Sequence, residues 1–189
     1  ATGELASHLV GKGRMEEPEK IFETVRDFFQ SPLTMKGKRV LVTAGPTRER
    51  IDPVRFISNY STGKMGVAIA DAAARRGAEV TLVLGPSEVR PQHSGVDVIN
   101  VESAREMLEA CQTHFPGCDI AVMTAAVADY TVANPAEHKI KREGNRPPVI
   151  EFVQNPDIAA TLGACKKPGQ ILVGFALETD NEENNALDK

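Results

Sequence analysis

The sequence predicts an α/β fold: a mainly parallel, doubly wound sheet with helices on both faces. Three observations predict it. From residue 38 onward, short apolar runs alternate with helical patterns, and strands that alternate with helices build parallel sheets. The run 119–124 is apolar without alternation, as suits a strand buried on both faces. A polar loop of about twenty residues separates the first strand from its helix, far beyond the usual roughly 2–6 residues. An open α/β sheet places its ligand at such a loop, at the carboxyl end of a strand. The 189 residues fit one domain of about 150 residues plus a tail, enough to bury roughly 70% of the unfolded chain's surface.

Residues 1–36 differ from the rest. Gly11, Gly13 and the run Glu16-Glu17-Pro18-Glu19 describe a loop. Residues 18–30 read as one amphipathic helix with Ile21, Phe22, Val25, Phe28 and Phe29 on a face, which calls for a partner surface. Ser31-Pro32 and Lys36-Gly37-Lys38 form a linker, so 1–36 look like the end of a preceding domain and 37–189 like a separate one. The first strand, 39–43, runs to Ala44 and breaks at Gly45-Pro46. The first helix of this domain covers 64–76, with Met65, Ile69, Ala72 and Ala73 at i, i+4, i+7 and i+8. Gly77 closes it, with Arg75 and Arg76 in the last turn. A second strand at 79–84 and a third at 96–101 follow, then a helix from Ser103 to about 113. After the fourth strand comes an irregular polar segment, 134–148, then Glu151-Phe-Val-Gln, a helix from Pro156 and a fifth strand at 171–175. The whole is Rossmann-like.

Composition excludes several classes. A net charge of −4 gives no general attraction to nucleic acid or membrane, so an anion site must be local. No apolar run approaches the roughly 20 residues of a membrane span, and the polar N-terminus is not a signal peptide. Cys111, Cys118 and Cys165 are odd in number and lack a C-x-x-C pair, so reduced thiols in a cytoplasmic protein are expected. The four histidines are scattered without metal-ligand spacing. Two common nucleotide motifs fail. A Walker A loop needs glycine where Ser58 stands, five residues before Gly63-Lys64, and a dinucleotide fingerprint needs an acid where the second strand ends Leu84-Gly85-Pro86. A nicotinamide reductase is disfavoured for that reason.

The candidate chemistry lies at strand ends. Ser61-Thr62-Gly63-Lys64-Met65-Gly66 opens a helix, where free N–H groups and the helix dipole favour an anion; plain capping by Ser61 or Thr62 also explains it. Asn59 is either a turn residue or a neutral amide donor for a carbonyl oxygen whose charge changes during acyl transfer, typically worth about 3–4 kcal/mol of barrier. The small residues Thr124, Ala125 and Ala126 let a ligand lie against backbone, and Asp129 can accept from ribose hydroxyls, approach a phosphate-bound metal or simply make a turn. Lys139, Lys141, Arg142 and Arg146 form a solvated loop or a cationic flap over phosphates, a role suited to flexible lysine. Asn155-Pro156-Asp157-Ile158 reads as a helix start with Asn155 at the cap and Pro156 at N1. Phe175 is an apolar wall or core. The long first loop, Ala125–Asp129 and Phe175 all fall at carboxyl ends of parallel strands and should line one crevice.

The motifs TAGPTRERIDPVRFISNYSTGKMG, AAVADY, HKIKR, NPDI and VGFALET, in this order, closely resemble phosphopantothenate–cysteine ligase, in particular the bacterial form fused behind a phosphopantothenoylcysteine decarboxylase in coenzyme A biosynthesis. The resemblance covers about residues 37–189, and residues 3–21 resemble the last stretch of that decarboxylase. It implies a fused decarboxylase domain, nearly all absent from this chain, that alone would carry FMN. It implies a two-step reaction: 4′-phosphopantothenate attacks the α-phosphate of CTP to give an acyl-cytidylate and pyrophosphate, then the amine of cysteine displaces CMP. Mg²⁺ would accompany CTP, held mainly by phosphate oxygens and water, with no dedicated protein metal site. Carried over by position, Asn59 would bind the acyl carbonyl, with Ala126 beside the substrate, and Lys139 would close over the phosphates. Gly45, Ser61, Gly63, Met123, Thr124, Ala125, Asp129, Pro156, Asp157, Ile158, Ala159 and Phe175 would hold the nucleotide. Arg55 would meet the pantothenate side across a homodimer interface. Lys189 matches the first of two triphosphate-gripping lysines. Relatives continue into a further strand and a dimerisation segment, so weak nucleotide binding and poor turnover are expected of this chain.

A non-catalytic nucleotide-binding module with the same sheet is the competing reading. Asn59 beside Lys139 discriminates, because a sensor has no use for a carbonyl donor next to a mobile lysine. The residues alone leave CTP and ATP open; the resemblance favours CTP.

Overall fold

The structure, a computed structural model, describes residues 2–4, 10–12, 16–30, 33–142 and 147–177. The chain divides into two units, 1–33 and 34–189. In the first, β1 (Thr2–Glu4) pairs antiparallel with β2 (Val10–Lys12), where the sequence suggests loop. Helix α1 spans Pro18–Gln30, as its apolar spacing predicts. Ile21, Phe22 and Val25 are exposed.

The second unit is built on β3 (Arg39–Ala44), β6 (Glu79–Leu84), β7 (Val96–Asn100), β8 (Ile120–Met123) and β11 (Ile171–Gly174). All are parallel, in the order β11-β8-β3-β6-β7. Numbered by their own succession in the chain, the order is 3-2-1-4-5, that of a Rossmann half-sheet, and the direction of winding reverses between β3 and β8. The alternation of side chains along β3 explains why helices cover both faces. Val40, Val42 and Ala44 join Val67, Ala70, Ala73 and Ala74 of α2 (Lys64–Arg75) in one core. Leu41, on the opposite face, joins Met107 and Cys111 of α3 (Ala104–His114) and Ile158 and Leu162 of α4 (Ile158–Ala164) in a second. Among the described residues no helix is long and apolar enough to cross a membrane.

Two segments that the sequence leaves irregular are structured. The long loop after β3 contains an antiparallel hairpin, β4 (Arg48–Arg50) and β5 (Phe56–Ser58). β9 (Tyr130–Val132) pairs antiparallel with β10 (Phe152–Gln154), bracketing the polar segment between them. Three-residue strands carry too little periodicity to be read locally. The first hairpin is anchored by long-range contacts: Arg48 N–H donates to Glu102 O at 2.7 Å, and buried Glu49 accepts the first amide of α3, that of Ala104, at 2.9 Å.

The start of α4 corrects one expectation. Asp157, not Asn155, is the cap: its carboxylate accepts from Ala160 N–H at 2.8 Å. Asn155 instead donates its amide to Ala128 O and its backbone N–H to Asp129 O. Both residue types cap helices well, so tertiary bonding decided between them.

Candidate functional site

The crevice forms where β3 and β8 diverge. Gly45 ends β3 at a φ of +80°, and Gly63 precedes α2 at +75°. These left-handed values suit glycine, and the two backbones touch: a Cβ on Gly63 would lie 3.2 Å from Gly45 N. On the β8 side, Thr43 Oγ1 accepts from Ala125 N–H at 3.2 Å, and Ala126 N–H donates to Gly45 O at 2.9 Å. The segment after β8 thus runs alongside the segment after β3. Met123, Thr124, Ala125 and Ala126 follow in that path, half-buried.

A cleft of about 530 Å³ opens there, lined by Tyr60, Ser61, Gly63, Lys64, Gly66 and Thr124, with Thr62 and Met65 completing it. Gly66 lets α2 approach the sheet, since a Cβ would come within 2.4 Å of Thr124 Oγ1 and 2.5 Å of the Ala44 Cβ. The cap residue of α2 is Gly63, which has no side chain to offer, and Thr62 Oγ1 accepts the first helical amide, that of Lys64, at a long 3.5 Å, so the helix start beside the cleft carries no acidic cap. Ser61 Oγ accepts from Gly63 N–H at 3.3 Å, and Ser87 Oγ donates to Thr62 O at 2.8 Å, holding the loop.

Asn59 lies beyond the lining residues but beside them in the chain. Its Nδ2 donates to Val127 O at 2.9 Å, which aims the side chain along the path from Ala126 to Asp129. Asp129 is exposed, and its own carbonyl accepts Asn155 N–H at 2.8 Å. That bond brings Pro156, Asp157, Ile158 and Ala159 to the same strand end. Phe175, 55% exposed, follows Gly174, which pairs with Met123. Asn59, Asp129 and the start of α4 are therefore tied to the segment leaving β8, although none of them lines the cleft itself.

Lys139 does not line the cleft. It is exposed on a segment bonded to the first hairpin: Ala136 N–H donates to Ile51 O at 2.9 Å, and Ile140 is held at both its backbone groups. Arg55 sits at that hairpin turn, its guanidinium engaged by Asp52 and by Ile140 O. Arg146 and Lys189 lie outside the described residues.

Sequence reasoning missed three residues here. Thr47 is fully buried and accepts Ala128 N–H at 3.0 Å, while its carbonyl accepts Ser58 Oγ at 2.7 Å; it links the hairpin to the β8 exit. Lys64 gives the cleft a cation at the helix start. Asp52 is buried and gathers N–H donors from both the turn and the flap. The Arg55 side chain, first among several donors, holds its carboxyl well below the usual carboxylate range. Its signal was legible: Asp-Pro followed by two residues is an Asx-turn pattern.

Residues 35–189 match the family model for the DNA/pantothenate metabolism flavoprotein C-terminal domain. The chain belongs to this family. It is 57% identical over 192 residues to a protein of an unknown prokaryotic organism named cysteine/cysteine sulfinic acid decarboxylase, covering all of this chain and 53% of that protein. It is 49% identical over 180 residues to the coenzyme A biosynthesis bifunctional protein CoaBC of Haemophilus influenzae, covering 95% of this chain and 44% of that protein. The solved C-terminal domain of a CoaBC protein is 48% identical, with a TM-score of 0.71 over 82% of this chain and 72% of that one. The family relation bears out the resemblance drawn from the motifs. The chain spans about half the length of the curated relatives it matches.

Proposed function

We propose that this family member is the phosphopantothenate–cysteine ligase domain of a coenzyme A biosynthesis protein. The observation that carries the reading is the meeting, where β3 and β8 diverge, of a helix start without an acidic cap, a neutral amide donor and an exposed carboxylate. The triphosphate of CTP lies at the start of α2, against Gly45, Ser61 and Gly63, with Lys64 nearby. Asp129 takes the ribose hydroxyls, and the backbone at 123–125 and 156–159 frames the base, with Phe175 as a wall.

The carboxylate oxygen of 4′-phosphopantothenate attacks the α-phosphorus and pyrophosphate leaves. Asn59, held by Val127 O at 2.9 Å and more weakly by Ala126 O at 3.5 Å, turns its amide from that longer contact to the acyl oxygen. It binds this oxygen without neutralising the attacking carboxylate. In the second step the cysteine nitrogen attacks the acyl carbon, CMP leaves with the bonding pair, and the amine loses a proton as the amide forms. Lys139 supplies positive charge to the phosphates from the flap. Among the described residues no three His, Cys, Asp or Glu side chains gather into a metal cage. Mg²⁺ would be held mainly by the substrate phosphates and water, and would supply charge neutralisation when bound.

A homodimer is part of the same reading. Val54 and Phe56, on the hairpin that carries Arg55, are 60% and 48% exposed, an apolar surface fit for a second copy that would bring pantothenate to Arg55. FMN belongs to the decarboxylase half of such proteins. The reaction is assigned to the cytoplasm, in keeping with three free cysteines.

The test incubates the full-length protein with CTP, phosphopantothenate, cysteine and Mg²⁺. Pyrophosphate and CMP should appear in equal amounts, and Asn59→Asp should accumulate acyl-cytidylate while ligation falls by about 10²–10³. An Asn59→Asp protein with an unchanged rate would remove the role of Asn59. Absence of CTP-dependent pyrophosphate release from the natural protein would remove the function.

A further inference from the structure

We infer that Asp52 is a positioning residue for Lys139, acting through a clamp that joins the β4–β5 turn to the flap. The inference rests on the ligase reading for what Lys139 does, but the clamp is visible by itself.

Asp52 is 3% exposed, and its side chain is fully enclosed. Its Oδ1 accepts Val54 N–H at 2.8 Å and Arg55 N–H at 2.9 Å, closing the turn. Its Oδ2 accepts Arg55 Nε at 3.0 Å, Arg55 Nη2 and, from the flap, Ile140 N–H at 3.1 Å. Arg55 Nη2 also donates to Ile140 O at 2.8 Å. The Asp52–Arg55 pair thus takes up both backbone polar groups of the residue that follows Lys139. Three residues before Lys139, Ala136 N–H is held by Ile51 O at 2.9 Å.

The flap therefore crosses the hairpin on two fixed points, with Glu137, His138 and Lys139 exposed between them. A turn alone does not require this. Closing residues 52–55 uses Oδ1; the contacts of Oδ2 with a backbone amide 88 positions away serve the flap. Fixing the Cα of Lys139 limits its ammonium group to the reach of its own side chain, so the clamp decides which part of the surface the cation can serve. The hairpin that holds it leads, through Ser58, directly into Asn59. One rigid element thus sets the base of the cation and the place of the amide donor together. The carboxylate also fixes Arg55, so its loss loosens two groups of the proposed site. The test isolates the one that acts through Lys139.

Full-length natural protein, Asp52→Asn, Lys139→Ala and the double variant are compared for CTP-dependent pyrophosphate release, below the unfolding temperature of each. Asp52→Asn should slow release between about ten- and a hundredfold, the scale of a catalytic group displaced by an ångström. In the Lys139→Ala background the same change should cost at least about threefold less, the remainder acting through Arg55. Equal penalties in both backgrounds would show that Asp52 acts independently of Lys139 and would overturn the inference. Hydrogen exchange at the Ile140 amide supplies a readout independent of activity, and Asp52→Asn should speed it at least tenfold. If the natural protein releases no pyrophosphate, the ligase reading falls; the clamp then stands or falls on whether Ile140 exchange changes. Should Asp52→Asn fail to fold, Asp52→Glu, which keeps the charge but shifts the carboxylate by a methylene, takes its place in the same cycle.

Discussion

Asp52 shows how one buried charge is made tolerable. A carboxylate removed from water is costly unless its oxygens are bonded, and here both are. Its folded pKa lies below the unfolded value, with the Arg55 side chain the leading cause and the Val54, Ile140 and Arg55 amides assisting against desolvation. The stabilisation is therefore complete above the ordinary carboxylate range and is lost as pH falls below it. Asp52→Asn should be less stable than the natural protein at pH 7, with the difference shrinking by pH 3 in urea unfolding. A difference that stays constant across that interval would show that the charge is not what matters.

Elements are spaced by two glycines with opposite requirements. Gly66 lies where α2 meets the ends of β3 and β8, and a methyl group there has no room beside Thr124 and Ala44. Gly66→Ala should lower stability by about 1–3 kcal/mol, the usual cost of overpacking, and should narrow the cleft. Gly163 lies in α4, where an added Cβ would meet only Leu172 Cδ2 at 3.8 Å. Gly163→Ala should raise stability by about 0.5–1 kcal/mol through helix propensity alone. Urea unfolding of both variants decides the matter, and the same sign for both would contradict the packing described.

The molecule as a whole gathers its site at the reversal of winding in the sheet, so a ligand there bridges segments from separate parts of the chain. Binding to the folded state alone adds about 2.7 kcal/mol at a hundred times Kd, or roughly 2–4 °C per kcal/mol for a chain of this size. CTP with Mg²⁺ should raise the unfolding temperature of the full-length protein by several degrees. EDTA should remove most of the gain, and ATP should give less. An equal shift with ATP would argue against base selection.

Much of this was legible in the chain. The central strands β3, β6 and β8 are apolar because helices cover both their faces, and the helices carry their apolar residues at helical spacing, so the sheet could be read from local pattern. The segments around Asn59, Thr124 and Asp129 could be placed together because a doubly wound sheet puts strand exits in one crevice. Residues that bond across distance were not legible. The choice of Asp157 over Asn155 as cap turned on the carbonyls of Ala128 and Asp129, and both short hairpins form through pairing partners that no local window contains.

Sequence by itself determined the sheet, its helices and the set of polar residues at the strand ends, since hydrophobic periodicity is a local property. Tertiary structure decided which of those polar residues are bonded to each other. Asn59 is aimed by Val127, and Ile140 beside Lys139 is held by Asp52 and Arg55. A hydrogen bond between groups 68 or 88 positions apart exists only once folding has met the entropy of bringing them together.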